Sequence, residues 1–98
     1  MAVMASWKLS SKAQSDLDRL DDYILERFGV QTAEQKLKEF YDTAAYLARN
    51  PYLGRTWQET EYRGYLFNSR TWVVYKVQNE GVYILRLFDA RTNPENWR

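Results

Sequence analysis

A change of period at Pro51 constrains this chain more than any other feature. Before it, apolar residues recur every three or four positions; after it, they come in short strand-length runs. Over residues 10–28, Ala13, Leu17, Leu20, Ile24 and Phe28 trace one side of a helix. Ser10 or Ser11 is placed to cap its start, and Gly29 follows as the residue just past its end. Asp16, Asp18, Asp21 and Asp22 read as the opposite, solvated face, because they lack the interleaved glycine and loop spacing of a calcium motif. A second helix, from position 31 or 32 to 48, carries the stripe Ala33, Leu37, Phe40, Ala44 and Leu47. Gly29 and Val30 leave room only for a tight turn, which predicts an antiparallel helical hairpin.

Pro51 disfavours helical geometry at Asn50, and Gly54 marks a turn, so helix ends in this stretch. Residues 61–67, 71–77 and 82–89 are rich in Tyr, Trp, Val, Ile and Phe and read as strands. The segments between them are short enough for hairpin loops, which predicts an antiparallel meander, with residues 6–9 as a further strand at one edge. Residues 1–98 then make a single α+β domain: an N-terminal antiparallel helical hairpin packed on a small antiparallel sheet, in the order β-α-α-β-β-β.

Two of these strands do not alternate cleanly. Trp72, Val73, Val74 and Tyr75, and then Val82, Tyr83, Ile84 and Leu85, place apolar groups on both sheet faces. A helical hairpin covers only one. Trp57, Tyr65, Trp72 and Tyr83 are therefore expected to form a second aromatic face for a protein partner. The alternative is that Trp97 and the end of the chain fold back over it.

Composition narrows the chemistry. Absence of cysteine excludes disulfides and thiolate metal sites, and absence of histidine excludes histidine-dependent hydrolysis and removes the commonest metal ligand. No metal or cofactor is expected. With no basic leader and no run of about 20 apolar residues, the expectation is a soluble cytoplasmic protein without a membrane partner. The net charge is only +1, yet Arg63, Arg70, Arg86 and Arg91 fall on or near the strands while most acids fall on the helices. That polarity suits an anionic target, with Trp97 as a terminal anchor. The plainer readings are edge charges that prevent aggregation and a tryptophan that pins a loose end.

Several local patterns resemble the ParE-type toxins of the ParE/RelE superfamily. Leu9, Ser10, Ala13, Asp16 and Leu17 resemble the opening "LSxxAxxDL" of that family; Tyr23, Ile24, Phe28 and Gly29 resemble the end of its first helix. The stretch Leu47, Ala48, Arg49, Asn50, Pro51, Tyr52, Leu53, Gly54, Arg55 is similar to its "LaxxPxxGR" turn. Arg63, then Val74, Tyr75, Lys76 and Val77, then Ile84, Leu85, Arg86 and Leu87, resemble its "R … hhYrV … IlRV" strands.

The resemblance implies two antiparallel helices against a small sheet, and the toxin half of a toxin–antitoxin pair neutralised by a cognate antitoxin of the ParD kind. ParE-like toxins are associated with inhibition of DNA gyrase, RelE-like relatives with messenger RNA cleavage on the ribosome. Where the family often has a histidine before a basic pair, this chain has Asp89, Ala90 and Arg91. A ribonuclease built on this chain would depend on Arg63, Tyr75, Arg86 and Arg91, with Tyr75 or Glu61 as the base, and an unperturbed tyrosine, with a pKa of roughly 10, is poorly poised for that role. The leading expectation is thus a non-enzymatic gyrase inhibitor that binds no nucleic acid directly. A RelE-type endoribonuclease is the alternative, and an inactive, partner-binding member the second.

Overall fold

The computed structural model describes residues 5–92. In chain order the elements are β1 (Ser6–Leu9), α1 (Ser11–Phe28), α2 (Val30–Arg49), β2 (Arg55–Thr56), β3 (Arg63–Phe67), β4 (Thr71–Gln78) and β5 (Gly81–Asp89). The predicted α+β order is present, with the two-residue β2 added before the meander.

Ser10 starts the hairpin and fastens it to the sheet. Its hydroxyl accepts from the Ala13 backbone N–H at 3.0 Å, and it donates to the Leu85 carbonyl at 2.8 Å. Gly29, at φ +89°, closes α1 and opens α2: its N–H reaches Leu25 O at 3.1 Å, and its carbonyl accepts from Ala33 N–H at the same distance. That left-handed conformation favours glycine, so a single residue joins the helices.

The strands form one sheet in the order β1-β5-β4-β3-β2. β3, β4 and β5 pair antiparallel, as predicted, and β2 adds antiparallel to β3, but β1 lies parallel to β5, with Ser6 opposite Gly81 and Leu9 opposite Ile84. The sheet is therefore mixed rather than wholly antiparallel. Gly81 makes the parallel pairing possible, since a Cβ there would lie 1.7 Å from Ser6 O. The β3–β4 turn runs through Asn68 and Ser69, both at positive φ.

One sheet face carries the main core. Ala13, Leu17, Phe40, Ala44 and Leu47 of the hairpin meet Phe67, Val73, Tyr75, Val82, Ile84 and Leu87. Phe40 sits edge-on to Phe67 with ring centroids 5.9 Å apart, anchoring the middle of α2 to the sheet.

The other face does not wait for a partner in the way predicted. Trp57, in the connection between β2 and β3, lies across it at 4% exposure. Its ring packs edge-on against Trp72 at 5.0 Å and Phe88 at 5.8 Å, over buried Val74. Gly64 permits this, because a Cβ there would fall 2.5 Å from the indole. Part of the second face is thus covered by the chain's own loop.

Candidate functional site

The hairpin stripe is covered at its base and open at its tip. Ala13 and Leu17 near its base are buried, Leu20 and Ile24 are half-buried, and Phe28 at the tip is 62% exposed. The outer half of the predicted stripe therefore lines an open groove of about 750 Å³ between the hairpin and the far end of the sheet. Leu20, Tyr23, Ile24, Phe28 and Leu37 supply its apolar wall; Arg19, Lys36, Arg70, Arg86 and Arg91 line it together with Asp16, Asp21 and Asp89. An elongated apolar cleft with charged margins accommodates an amphipathic segment better than a small polar substrate.

Asp16 organises the inner end of this groove. Its charge groups it with the solvated aspartates, yet it is buried, and the reason is its phase: Asp16 lies three residues after Ala13 and four before Leu20, within the stripe that faces the sheet. Its carboxylate receives Arg86 Nε at 2.8 Å and a second guanidinium nitrogen at 3.2 Å, and the Leu87 backbone N–H at 3.0 Å. Arg19, one turn along α1, adds a further ion pair. A register shift in the β4–β5 pairing, between Val74 and Tyr75, precedes Arg86. Successive groups of β5 beyond β1 thus find partners on α1, first at Ser10 and then at Asp16. A buried charge requires such compensation.

Arg63 and Tyr75 are cross-strand neighbours on β3 and β4, and together they hold the turn that follows α2. The Tyr75 hydroxyl donates to Pro51 O at 2.7 Å and accepts from Gly54 N–H at 2.9 Å. Arg63 Nε donates to Gly54 O at 2.8 Å, and its terminal nitrogen to Tyr52 O at 3.3 Å. Tyr75 has no exposed surface, and burial pushes its phenol pKa above the ordinary value, against the pull of the Gly54 hydrogen bond and the Arg63 charge. A phenol so placed is a structural tie, not an accessible base.

The remaining predicted target-binding residues lie apart from that turn. Arg91 is exposed and paired with Asp89 at 2.9 Å, holding the Asp89 carboxyl down to about 2. Arg70, exposed at the end of the β3–β4 turn, adds to the positive field on Asp89 and through its carbonyl accepts from Ala90 N–H at 2.8 Å. Arg70, Arg86 and Arg91 all line the groove, whereas Arg63 does not. Trp97 lies outside the described residues.

The predicted aromatic set is split by the sheet. Tyr65 lies opposite Val73 and packs on the main core. Trp57 and half-buried Trp72 share the second face, to which strand alternation also assigns Tyr83, between core residues Val82 and Ile84. These four do not form one patch. The apolar wall of the groove is not among the predicted site residues, although the hairpin stripe contains most of it; the stripe is its only signal in the sequence, and the exposure of its outer end is visible only in the fold. Among the described residues there is no cluster suited to a metal ion, and no helix is long and apolar enough to cross a membrane.

Residues 7–94 match the family model described as ParE toxin of type II toxin–antitoxin system, parDE. A curated relative, Toxin ParE1 of Mycobacterium tuberculosis, is 35% identical over 92 residues, covering 91% of this chain and 93% of the relative. Toxin ParE3 of Caulobacter vibrioides is 33% identical over 79 residues, covering 80% of this chain and 79% of the relative. Among solved structures, a chain of the chromosomal ParDE TA system from P. aeruginosa superposes with a TM-score of 0.75 at 22% identity, covering 90% of this chain and 98% of that one. A conserved hypothetical protein from Helicobacter pylori superposes with a TM-score of 0.52 at 17% identity, covering 89% and 96%. Both structures show the likeness of fold alone.

Proposed function

The chain belongs to the ParE toxin family of parDE type II toxin–antitoxin systems, and from that premise we propose that it blocks DNA gyrase in the cytoplasm by binding, not by catalysis. The observation that carries the second half is the engagement of three of the four groups a ribonuclease would need. Tyr75 is buried with its hydroxyl used in two hydrogen bonds, Arg63 holds two backbone carbonyls of the same turn, and Arg86 is bound to the Asp16 carboxylate. General acid–base work requires a group that can reach substrate and change its protonation near working pH. These residues hold the fold instead.

The groove supplies the surface for the antitoxin. An amphipathic segment placing apolar side chains against Leu20, Ile24, Phe28 and Leu37, and carboxylates towards Arg19, Arg70 and Arg91, matches both its wall and its margins. Neutralisation then follows from tight protein–protein contact, with the exposed outer part of the hairpin buried in the complex.

The test is supercoiling of relaxed plasmid by purified gyrase with the protein added, run beside ribosome-dependent RNA cleavage. Dose-dependent loss of supercoiling or trapped cleaved DNA, with RNA intact, is the expected result. Intact gyrase activity with cut RNA would overturn the proposal and reopen Arg63, Tyr75, Arg86 and Arg91 as catalytic groups. Silence in both assays would mean a different target or an inactive toxin.

A further inference from the structure

Outside the groove, the turn between α2 and β2 has an unusual concentration of fixing interactions for a surface loop. Pro51 O and Gly54 N–H are tied to the Tyr75 hydroxyl, Gly54 O and Tyr52 O to the Arg63 guanidinium, and Leu53 N–H to Asn50 O at 3.0 Å. Gly54 fits so closely beneath Tyr75 that a Cβ would fall 2.6 Å from the phenol oxygen. Buried Gly54 requires partners for its N–H and carbonyl, and the same ties leave the turn with little freedom to move.

The side chains this framework presents face water. Tyr52 is 70% exposed and Leu53 47% exposed, and the Tyr52 ring is held from one side by Arg63, whose guanidinium carbon lies 5.3 Å from the ring centroid. Residues 49–55 contain Arg49 and Arg55, both exposed, and no carboxylate. The turn is therefore an apolar knob, already rigid, flanked in sequence by two cations, of which Arg55 lies over the Trp72 ring with its guanidinium carbon 5.5 Å from the centroid. Tyrosine and arginine are enriched where protein interfaces concentrate their binding energy, and a fixed knob loses little conformational freedom on docking.

We propose that Tyr52 and Leu53, flanked by Arg49 and Arg55, are the contact by which this toxin grips its target, and that the complementary surface is a protein recess with an apolar floor and a carboxylate rim. The inference rests on the toxin reading above and adds a location to it. The antitoxin groove and the target knob are then separate surfaces, built respectively on the α1 side of the hairpin and on the turn that ends α2.

Two variants of the full chain test this. Leu53→Asp keeps the turn's backbone ties and puts a charge on the knob; the double variant Arg49→Glu/Arg55→Glu reverses the rim. Leu53→Asp changes an exposed side chain and a thermal midpoint close to the parent is expected; the double variant gives up the Arg55–Trp72 contact and places a carboxylate in the last turn of α2, so a modest drop is expected, and both midpoints are checked first. Gyrase supercoiling, growth inhibition on induction, affinity for the cognate antitoxin and binding of plasmid DNA alone are then measured. The expected result is that each variant needs about tenfold or more protein for half-inhibition of gyrase, is correspondingly less toxic, and binds antitoxin unchanged. Full toxicity of both variants would overturn the knob whatever the target is. If the parent leaves gyrase untouched but both variants lose toxicity, the knob stands and the gyrase assignment falls. If the parent binds plasmid DNA alone and Leu53→Asp abolishes that, the turn contacts nucleic acid and the proposal of a protein recess fails; a parent without toxicity overturns both readings.

Discussion

The base and the tip of the helical hairpin are written in the same apolar code but meet different fates. At the base, Ala13 and Leu17 are buried against β5 and the middle of the sheet; at the tip, Phe28 and Val30 are 62% and 59% exposed. The period of a stripe specifies which side of a helix is apolar. It does not specify whether the chain has anything to place there. In this protein the outer stripe is left uncovered and lines the groove proposed for the antitoxin.

Truncation of a ring in the middle of α2 and of one at the tip gives the largest contrast. Phe40→Ala removes a ring with 1% exposure from the hairpin–sheet interface and is expected to destabilise the fold by about 3–5 kcal/mol. Phe28→Ala removes a similar ring from the tip, where the expected change is within about 0.5 kcal/mol. Urea denaturation of each variant reads this difference, and titration with cognate antitoxin reads its counterpart, a weakening with Phe28→Ala. Equal stability losses at both positions would mean that the tip is packed and that the groove is no free surface.

The second contrast is between Asp16 and its neighbours on α1. Asp18 and Asp22 are exposed, while Asp16 accepts from Arg86 and the Leu87 N–H inside the hairpin–sheet junction. Asp16→Ala leaves the Arg86 guanidinium without that carboxylate and is expected to cost about 3 kcal/mol, whereas Asp18→Ala should be close to neutral. Because the pair is buried on the aspartate side, added salt should not recover the loss. A loss under about 1 kcal/mol would show that the junction is held by apolar packing alone.

Much of this was legible from spacing, because the period of a helix, the capping serine and the length of a hairpin loop are local properties. Ser10, Gly29 and the β3–β4–β5 meander appear where the residues place them. Asp16 was legible too, had its phase been weighed above its charge. The parallel alignment of β1 was not, since nothing within residues 6–9 states a direction; it depends on Gly81, far along the chain, admitting the Ser6 backbone. Covering of the second face by Trp57 was hidden for the same reason, as the permissive residue is Gly64 on another element. The roles of Arg63 and Tyr75 were the hardest to read. A cation and a phenol on adjacent strands look like chemistry until the carbonyls of residues 51–54 are seen above them.

That turn sharpens the comparison from the other end of the hairpin, because there a polar network, not a ring, does the holding. Tyr75→Phe leaves the aromatic packing and removes the two hydrogen bonds to Pro51 O and Gly54 N–H; the expected cost is about 1–3 kcal/mol. The pH dependence follows from the raised folded-state pKa. The contribution of Tyr75 is fully present below the unfolded-state value near 10 and is lost as pH rises through the higher folded value, so the protein should weaken in alkali. In Tyr75→Phe this part of the alkaline loss should be missing. An unchanged alkaline profile in the variant would mean that the phenol does not carry the linkage.

The smallest effect belongs to the groove margin, where charge is solvent-washed. Asp89 is clamped by Arg91 through two of its guanidinium nitrogens and the backbone N–H, and its carboxyl is lowered to about 2. A depressed folded-state pKa contributes stability above the unfolded value of about 3.9, and that contribution is lost as pH falls through about 2. With Arg91 fully exposed, screening leaves this linkage too weak to move the thermal midpoint, so the carboxyl's own titration is the measurement. In Arg91→Ala the Asp89 titration followed by NMR should move up towards the ordinary carboxylate range, and the uncovered carboxylate should weaken an acidic antitoxin segment at this margin. If Asp89 titrates unchanged in Arg91→Ala, the clamp is not the cause of the depression, and Arg91 is free to meet a partner without first giving up an intramolecular one.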